Sequence, residues 1–326
     1  MEIDGLQNTI WLFLVTAAVL LWSATDILYK IGIYESGEEH VCLKGSVCIG
    51  TVFFGLALVF LMIRTESFSI WESALRYWPM TLFGILYAVI NTISLKGFLY
   101  NEVTVQSPVQ GISGGTSTVL LVIVYLVLGR ADSVAELLTP MRAAGIAVIM
   151  TSMILLSAFR NREFRNRGEY RGKTWMTTGL GTLIFPVLFS LVDALETIVT
   201  GICLDTNYGG GMPEEDSIII VGTEYAVIAL GFWLYIWWKE KKPFNPFGRR
   251  SAPMMLGALA DNIGIGFYSF AMAINSISTD ALLAAYPLLV MAAGRVIMKE
   301  KLSSEQYIFL FGIAAGSIMV ISDTIF

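Results

Sequence analysis

The sequence has few charged residues and no long polar segment. Of its 326 residues 14% are charged, whereas 56% are hydrophobic. A soluble domain carries roughly a quarter charged residues, and no polar stretch here exceeds about 17 residues in the hydropathy pattern. These deficits leave no room for a separate soluble domain. The chain is therefore predicted to be an all-α polytopic membrane protein.

Residues that form metal sites and disulfides are also scarce. The three cysteines, Cys42, Cys48 and Cys203, contain no Cys-x-x-Cys pair, and the single histidine, His40, has no partner histidine. This spacing matches none of the common zinc motifs. We therefore expect no metal and no cofactor. The formal net charge of −5 gives no indication of nucleic-acid binding.

Features of enzymes and of secreted proteins are missing as well. The sequence contains no complete phosphate-binding loop and no visible pairing of a nucleophile with a base, so the chain is not expected to be an enzyme. Its acidic start, Met1-Glu2-Ile3-Asp4, lacks the basic region of a cleaved signal peptide. The first helix is therefore expected to remain in the mature protein.

Hydrophobic runs are what the sequence has in abundance. Crossing a bilayer takes about 20 mostly apolar residues, and ten runs are long enough. The first five are 9–32, 45–63, 77–99, 103–128 and 139–158, and the second five are 176–203, 218–238, 252–274, 280–298 and 304–322. The predicted division is a first five-helix repeat (1–160), a basic cytoplasmic connector (161–175) and a second five-helix repeat (176–326).

The basic residues predict the orientation. Of the 21 lysines and arginines, six lie in 160–173, five in 239–250 and six more at other positions on the same side. Only four, Arg64, Arg76, Arg130 and Arg142, fall on the opposite side. The positive-inside rule assigns the basic side to the cytoplasm. With ten helices, both termini are then expected to be extracytoplasmic.

A polar patch in the first hydrophobic run returns in the second half of the chain. Ser23 and Asp26 recur as Ser190 and Asp193, with an aromatic residue before each serine. Carboxylates at membrane depth are costly and usually mark a pathway for a substrate, an ion or a proton. Five helices per half make the two halves antiparallel. The repeat therefore predicts a transporter built from two inverted five-helix repeats.

The end of the second half resembles a known transporter family. The matching segments are Ala284-Ala285-Tyr286-Pro287, Met298-Lys299-Glu300-Lys301-Leu302-Ser303 and Gly312 near the end of the chain, together with Leu21-Trp22-Ser23 and Lys30 at its start. They resemble the EamA-type repeat of the drug/metabolite transporter superfamily. The resemblance implies a secondary transporter for a small metabolite or drug with a central cavity between the halves. The turn at Gly129-Arg130 departs from the pattern, because the family usually has glutamate where this chain has arginine.

Several candidate residues have two interpretations. Asp193 and Glu196 share a helical face, and repulsion between close carboxylates favours binding a proton. Lys30 is either a counter-charge in the cavity or reaches the membrane interface. Asn91 either lines the cavity or bonds to a neighbouring helix. The glycine-rich run around Ser113 indicates close packing, a hinge or a broken helix.

The expected function is secondary active transport by alternating access across the cytoplasmic (plasma) membrane, coupled to protons or ions. The substrate is expected to be a small polar or cationic metabolite, or a drug. The expected partners are this small molecule, the lipid bilayer and protons. Alternatives are a lipid-linked group flippase or other lipid-handling protein, and a membrane scaffold. The predicted pathway comprises Trp22, Ser23, Asp26, Lys30, Asn91, Ser113, Gly114, Gly115, Ser190, Asp193, Glu196, Asp261, Asn262 and Tyr286.

Overall fold

The computed structural model describes residues 2–36, 40–64, 69–166, 183–207, 210–300 and 303–325. These residues form helices and no strand. Most of the predicted basic connector lies outside them. The helices are α1 (Glu2–Ser36), α2 (Val41–Ile63), α3 (Ile70–Arg76), α4 (Trp78–Ser94), α5 (Gly97–Tyr100), α6 (Val103–Val127), α7 (Val134–Leu137), α8 (Pro140–Asn166), α9 (Ile184–Leu204), α10 (Glu214–Glu240), α11 (Ala252–Leu283), α12 (Tyr286–Ile297) and α13 (Ser304–Ile325).

Eight helical segments in the described part of the chain are long and apolar enough to cross a membrane. The chain is therefore an all-helical membrane protein. The eight segments are Leu6–Ile33, Val41–Ile63, Trp78–Tyr100, Val103–Val127, Ile184–Leu204, Glu214–Glu240, Arg249–Leu283 and Ser304–Ser322. The two other predicted runs, 139–158 and 280–298, form shorter apolar helices, Pro140–Leu156 and Tyr286–Ile297.

The backbone is broken twice near the run predicted at 280–298, once before the run and once within it. Within α11 the backbone leaves the helical region at Asn275, with φ −157° and ψ 91°. The Asn275 side chain accepts a hydrogen bond from the Ser278 amide (3.0 Å) and thereby caps the helical turns that follow. A second break separates α11 from α12, which begins with Pro287 in its first turn. Proline suits that place because the first-turn amides have no helical acceptor.

The broken-helix interpretation of the glycine-rich run is wrong. Helix α6 is continuous from Val103 to Val127, with Pro108 inside it. Close packing explains the small residues instead, because a Cβ on Gly114 would lie 2.9 Å from the Asp280 carbonyl oxygen. The breaks in the backbone lie in the segment that packs against α6, at Asn275 and after Leu283.

The membrane helices pack on one another across the two halves of the chain. Helix α1 lies along α11, α2 along α10 and α8 along α13, while α4 and α6 both pack on α9. Small residues permit close approach, as is common between helices in lipid. A Cβ on Gly145 would lie 2.8 Å from the Gly316 carbonyl oxygen, and a Cβ on Gly316 would lie 2.6 Å from the Gly145 oxygen.

Helices α2 and α10 are joined at both ends by ion pairs. At one end the Lys44 ammonium lies 2.8 Å from the Glu240 carboxylate, and at the other Arg64 pairs with Asp216. All four side chains are at most partly exposed. The two helices are thus held in register along their whole length.

Gly50 lies where α2 and α10 approach each other closely, and it provides a test of their packing. A Cβ on Gly50 would lie 2.3 Å from the Ala229 Cβ and 2.6 Å from the Tyr225 carbonyl oxygen. Gly50→Val should therefore push α2 away from α10 and destabilise the protein by about 1–3 kcal/mol. Gly55, on the same helix, has no atom within 4 Å of its Cβ position. Gly55→Val is the matched control, and equal melting temperatures for the two variants would contradict this packing.

Candidate functional site

A cavity lies between the two halves of the chain. Its free volume is about 120 Å³. Helices α1, α2, α4, α5, α6, α9, α10, α11 and α12 all contribute to its wall. Its polar lining residues are Trp22, Thr25, Asp26, Tyr29, Tyr87, Asn91, Ser94, Gln110, Ser113, Asp193, Glu196, Thr197, Thr200, Ser217, Asp261, Tyr268, Ser269, Asp280 and Tyr286.

Three serines of α6 each donate a hydrogen bond to a different aspartate of the cavity. Ser107 donates to Asp26 on α1, Ser113 to Asp193 on α9 (2.5 Å), and Ser117 to Asp280 on α11. With a rise of 1.5 Å per residue, the first two serines lie about 9 Å apart along the helix axis, and the third lies about 6 Å further on. Helix α6 thus holds three carboxylates at successive depths.

The first depth carries a pair of carboxylates. Tyr29 lies one helical turn beyond Asp26 on α1 and donates a hydrogen bond to Asp261 of α11 (3.1 Å). Trp22, one turn before Asp26, donates through its ring nitrogen to the Asp261 carbonyl oxygen (3.2 Å). Both carboxylates line the cavity, and each residue is 9% exposed. We call Asp26 and Asp261 the first carboxylate group.

The second and third depths together carry three carboxylates. Glu196 follows Asp193 by three residues on α9 and accepts a hydrogen bond from Thr200 (2.7 Å). Asp280 is 3% exposed and lies against α6 one turn beyond Ser113. We call Asp193, Glu196 and Asp280 the second carboxylate group.

The wall of the cavity is acidic and aromatic. Five carboxylates line it, and none of its described lining residues is lysine, arginine or histidine. Trp22 and Tyr268 lie side by side, with ring centroids 5.4 Å apart, and Tyr87 lies 5.5 Å from Phe189. Carboxylates and aromatic faces both attract cations, most strongly where water is excluded. A cavity wall of this chemistry favours positively charged ligands over negatively charged ones.

Two charged side chains hold the backbone at the end of α5 and at the start of α6, near Ser94 and Phe98 of the cavity wall. The Lys30 ammonium donates to the carbonyl oxygens of Phe98 (2.5 Å) and Asn101 (2.7 Å). The Glu300 carboxylate accepts from the amides of Val103 and Thr104, both at 3.0 Å. A cation at carbonyl oxygens and an anion at a helix N-terminus both match the backbone dipoles.

Lys30 fits neither of its two predicted roles, a counter-charge in the cavity or a side chain that reaches the membrane interface. Lys30 is 5% exposed and bonds to backbone oxygens, so it neither lines the cavity nor reaches the interface. Asp26 accepts from Ser107 instead. A lysine one helical turn from an aspartate can turn to either side, and the carbonyl oxygens at the end of α5 provide the better partners here.

Nine of the fourteen predicted pathway residues line the cavity. They are Trp22, Asp26, Asn91, Ser113, Gly114, Asp193, Glu196, Asp261 and Tyr286. Asn91 fits both of its interpretations, because it also donates to the Tyr225 hydroxyl (3.4 Å).

The other predicted residues lie outside the cavity lining. Ser23 donates to the Val19 and Tyr286 carbonyl oxygens, and Asn262 donates to those of Ile49 and Ala258. Both serve helix packing. Gly115 faces Met150, Lys30 bonds to α5 as described above, and Ser190 is partly buried on α9.

One short match to an enzyme motif does not have the structural context of that motif. Gly111-Ile112-Ser113-Gly114-Gly115 has the letters of the Gly-x-Ser-x-Gly nucleophile elbow. That elbow needs a sharp turn between a strand and a helix. Ser113 instead lies inside the continuous α6 and donates to Asp193.

Several cavity residues were missed by sequence reasoning. Asp280 is the first residue of the run predicted at 280–298, and a carboxylate at the end of a membrane helix is usually in contact with water. Tyr87, Gln110, Thr197 and Thr200 carry no repeat or motif that marks them. The spacing of Ser107, Ser113 and Ser117 was the one available signal, because serines along a membrane helix seek polar partners on neighbouring helices.

Comparison with known proteins supports the fold. No family model matches the sequence, and no curated protein is similar to it. A solved structure described only as "Crystal structure of protein" is similar to this chain with a TM-score of 0.58, at 15% identity, over 94% of each chain. At that identity the likeness concerns the fold alone.

Proposed function

We propose that this protein is a secondary active transporter of small cationic metabolites or drugs. The observation that carries the proposal is the composition of the cavity wall. Five carboxylates line it, and none of its described lining residues is lysine, arginine or histidine. Isolated charges at membrane depth are expensive and are retained where they serve a pathway. A carrier of cations gives each carboxylate a partner, either the substrate or a proton.

We further propose that the protein crosses the membrane ten times as two inverted five-helix repeats, in the manner of EamA-like transporters. Helix α8 and the broken segment from Asn275 to the end of α12 supply the two crossings beyond the eight long helices. The packing supports this arrangement. The pair of α1 with α11 matches the pair of α9 with α4, and α2–α10 and α8–α13 each join equivalent helices. Exchange of the two halves leaves this set of pairs unchanged.

Alternating access would use the two breaks in the segment that packs against α6, at Asn275 and after Leu283. The segment after Asn275 contacts α6 at Gly114 through backbone atoms, and the breaks at both ends of that segment allow it to move as a unit. The same segment carries Asp280. Movement would therefore change the cavity wall together with its charge.

Proton coupling is assigned to the second carboxylate group. Asp193 and Glu196 lie three residues apart on α9 and both face the cavity, so two negative charges would repel one another there. A proton relieves this repulsion until a cationic substrate replaces it. Uptake by proteoliposomes should therefore respond to an imposed pH gradient when a panel of cationic and neutral metabolites is tested. Uptake of neutral compounds alone would contradict the proposal.

The orientation can be tested without a substrate. In the plasma membrane we expect the basic segments 160–173 and 239–250 to be cytoplasmic and both termini to be extracytoplasmic. Single cysteines in those two segments should be shielded from an impermeant thiol reagent in intact cells, whereas a cysteine in 205–216 should react. The three native cysteines are buried, which keeps the background low. The opposite labelling pattern would reverse the assignment.

A further inference from the structure

The carboxylates of the cavity form two groups rather than one. Ser107 of α6 holds the first group through Asp26, and Ser113 and Ser117 hold the second group through Asp193 and Asp280. The axial distance from Ser107 to Ser113 is about 9 Å. One cavity connects the two groups, because members of both line it.

A ligand with a single charge would neutralise only one of these groups. An ammonium group that binds Asp26 and Asp261 would leave Asp193 and Glu196 without a cation at membrane depth. Unneutralised carboxylates in such a site are unfavourable. A ligand with a positive charge at each end places a cation at both groups at once.

A second, independent feature also points to a ligand in this cavity. The Tyr268 residue is 7% exposed and lines the cavity. Within the described part of the chain its hydroxyl interacts with the Thr197 side chain but makes no hydrogen bond of normal geometry. Buried hydroxyls are almost always hydrogen-bonded. The Tyr268 ring packs on Trp22, which lies one turn from Asp26. Its phenolic oxygen is thus available to accept a hydrogen bond from an ammonium group.

We propose that the substrate is a linear aliphatic diamine, with one ammonium group at Asp26 and Asp261 and the other at Asp193, Glu196 and Asp280. The apolar chain between the amines would lie against the aromatic rings of Trp22 and Tyr268. This inference rests on the proposed transport function and narrows its substrate class. An ammonium group donates up to three hydrogen bonds, and each carboxylate keeps acceptor sites beyond the one that a serine or tyrosine uses.

Equilibrium binding to the purified full-length protein tests the inference. The probes are hexylamine, hexamethylenediamine and ethylenediamine, which differ in the number of charges and in their separation. Hexamethylenediamine should bind at least about tenfold more tightly than hexylamine, because a second charged group adds charge-assisted hydrogen bonds. Ethylenediamine is too short to reach both groups and should bind no better than hexylamine.

Variants of the two carboxylate groups then test where each ammonium group of the diamine binds. Asp26→Asn and Asp193→Asn each remove charge from one group, and each should reduce the preference for hexamethylenediamine over hexylamine to about twofold or less. Asp132→Asn, in an exposed turn outside the cavity, should retain the full preference. Equal affinity of the unmodified protein for hexylamine and hexamethylenediamine would overturn the diamine assignment. If the protein nevertheless transports monovalent cations, the proposed transport function still stands. If the protein neither binds nor transports any cation, both proposals are wrong.

Discussion

Asp193→Asn is expected to abolish uptake driven by a pH gradient and to leave exchange of substrate across the membrane measurable. The carboxylate lies in the cavity, accepts a hydrogen bond from Ser113 at 2.5 Å and lies one helical turn from Glu196. Asparagine has the same size and still accepts that hydrogen bond through its side-chain oxygen. The variant therefore removes the proposed site of proton binding with little change to the packing.

The measurement compares initial rates of uptake into proteoliposomes with and without an imposed pH gradient. We expect gradient-driven uptake by Asp193→Asn to fall to the level of protein-free liposomes. Asp132→Asn changes an exposed carboxylate outside the cavity and should behave as the unmodified protein. If Asp193→Asn transports with an unchanged pH dependence, the coupling role of this residue is wrong.

Gly114→Val is expected to abolish transport, whereas Gly115→Val should have a much smaller effect. A Cβ on Gly114 would lie 2.9 Å from the Asp280 carbonyl oxygen and 3.1 Å from the Ala284 amide nitrogen, both of them backbone atoms. A Cβ on Gly115 would meet only the Met150 side chain, at 2.3 Å. Methionine is unbranched and flexible, so it can move aside more easily than a helix backbone.

Transport by the two variants, normalised to the amount of inserted protein, checks this difference. The Gly114 contact lies between the two breaks in the segment proposed to move, so a bulky side chain there should block the conformational change. Equal losses in both variants would mean that the glycine-rich run serves general packing rather than this contact.

Hydrophobicity located eight of the ten predicted runs as helices long and apolar enough to cross a membrane. The run predicted at 103–128 corresponds to a helix from Val103 to Val127. Length and apolar composition determine such helices, because every backbone polar group must be bonded internally in lipid. The repeated serine and aspartate likewise led to Asp26 and Asp193, which both line the cavity.

The residues that complete the cavity depend on features that no short pattern records. Asp280 lies in the cavity because the chain leaves the helical conformation at Asn275 and packs against α6, which presents Ser117 to it. Lys30 turns to the end of α5 because carbonyl oxygens are available there. Gly114 and Gly115 are adjacent and identical in sequence, and only the helix that faces each one distinguishes their roles.

Substrate counterflow in proteoliposomes tests the central claim, that this chain carries cations through its acidic cavity by alternating access. Liposomes are loaded with an unlabelled diamine and diluted into a trace of the same labelled compound. A carrier exchanges one for the other, so the label should accumulate transiently inside above its external concentration, and Gly114→Val should abolish this accumulation. A label that only equilibrates, or fails to enter with any cation in the panel, would contradict the account.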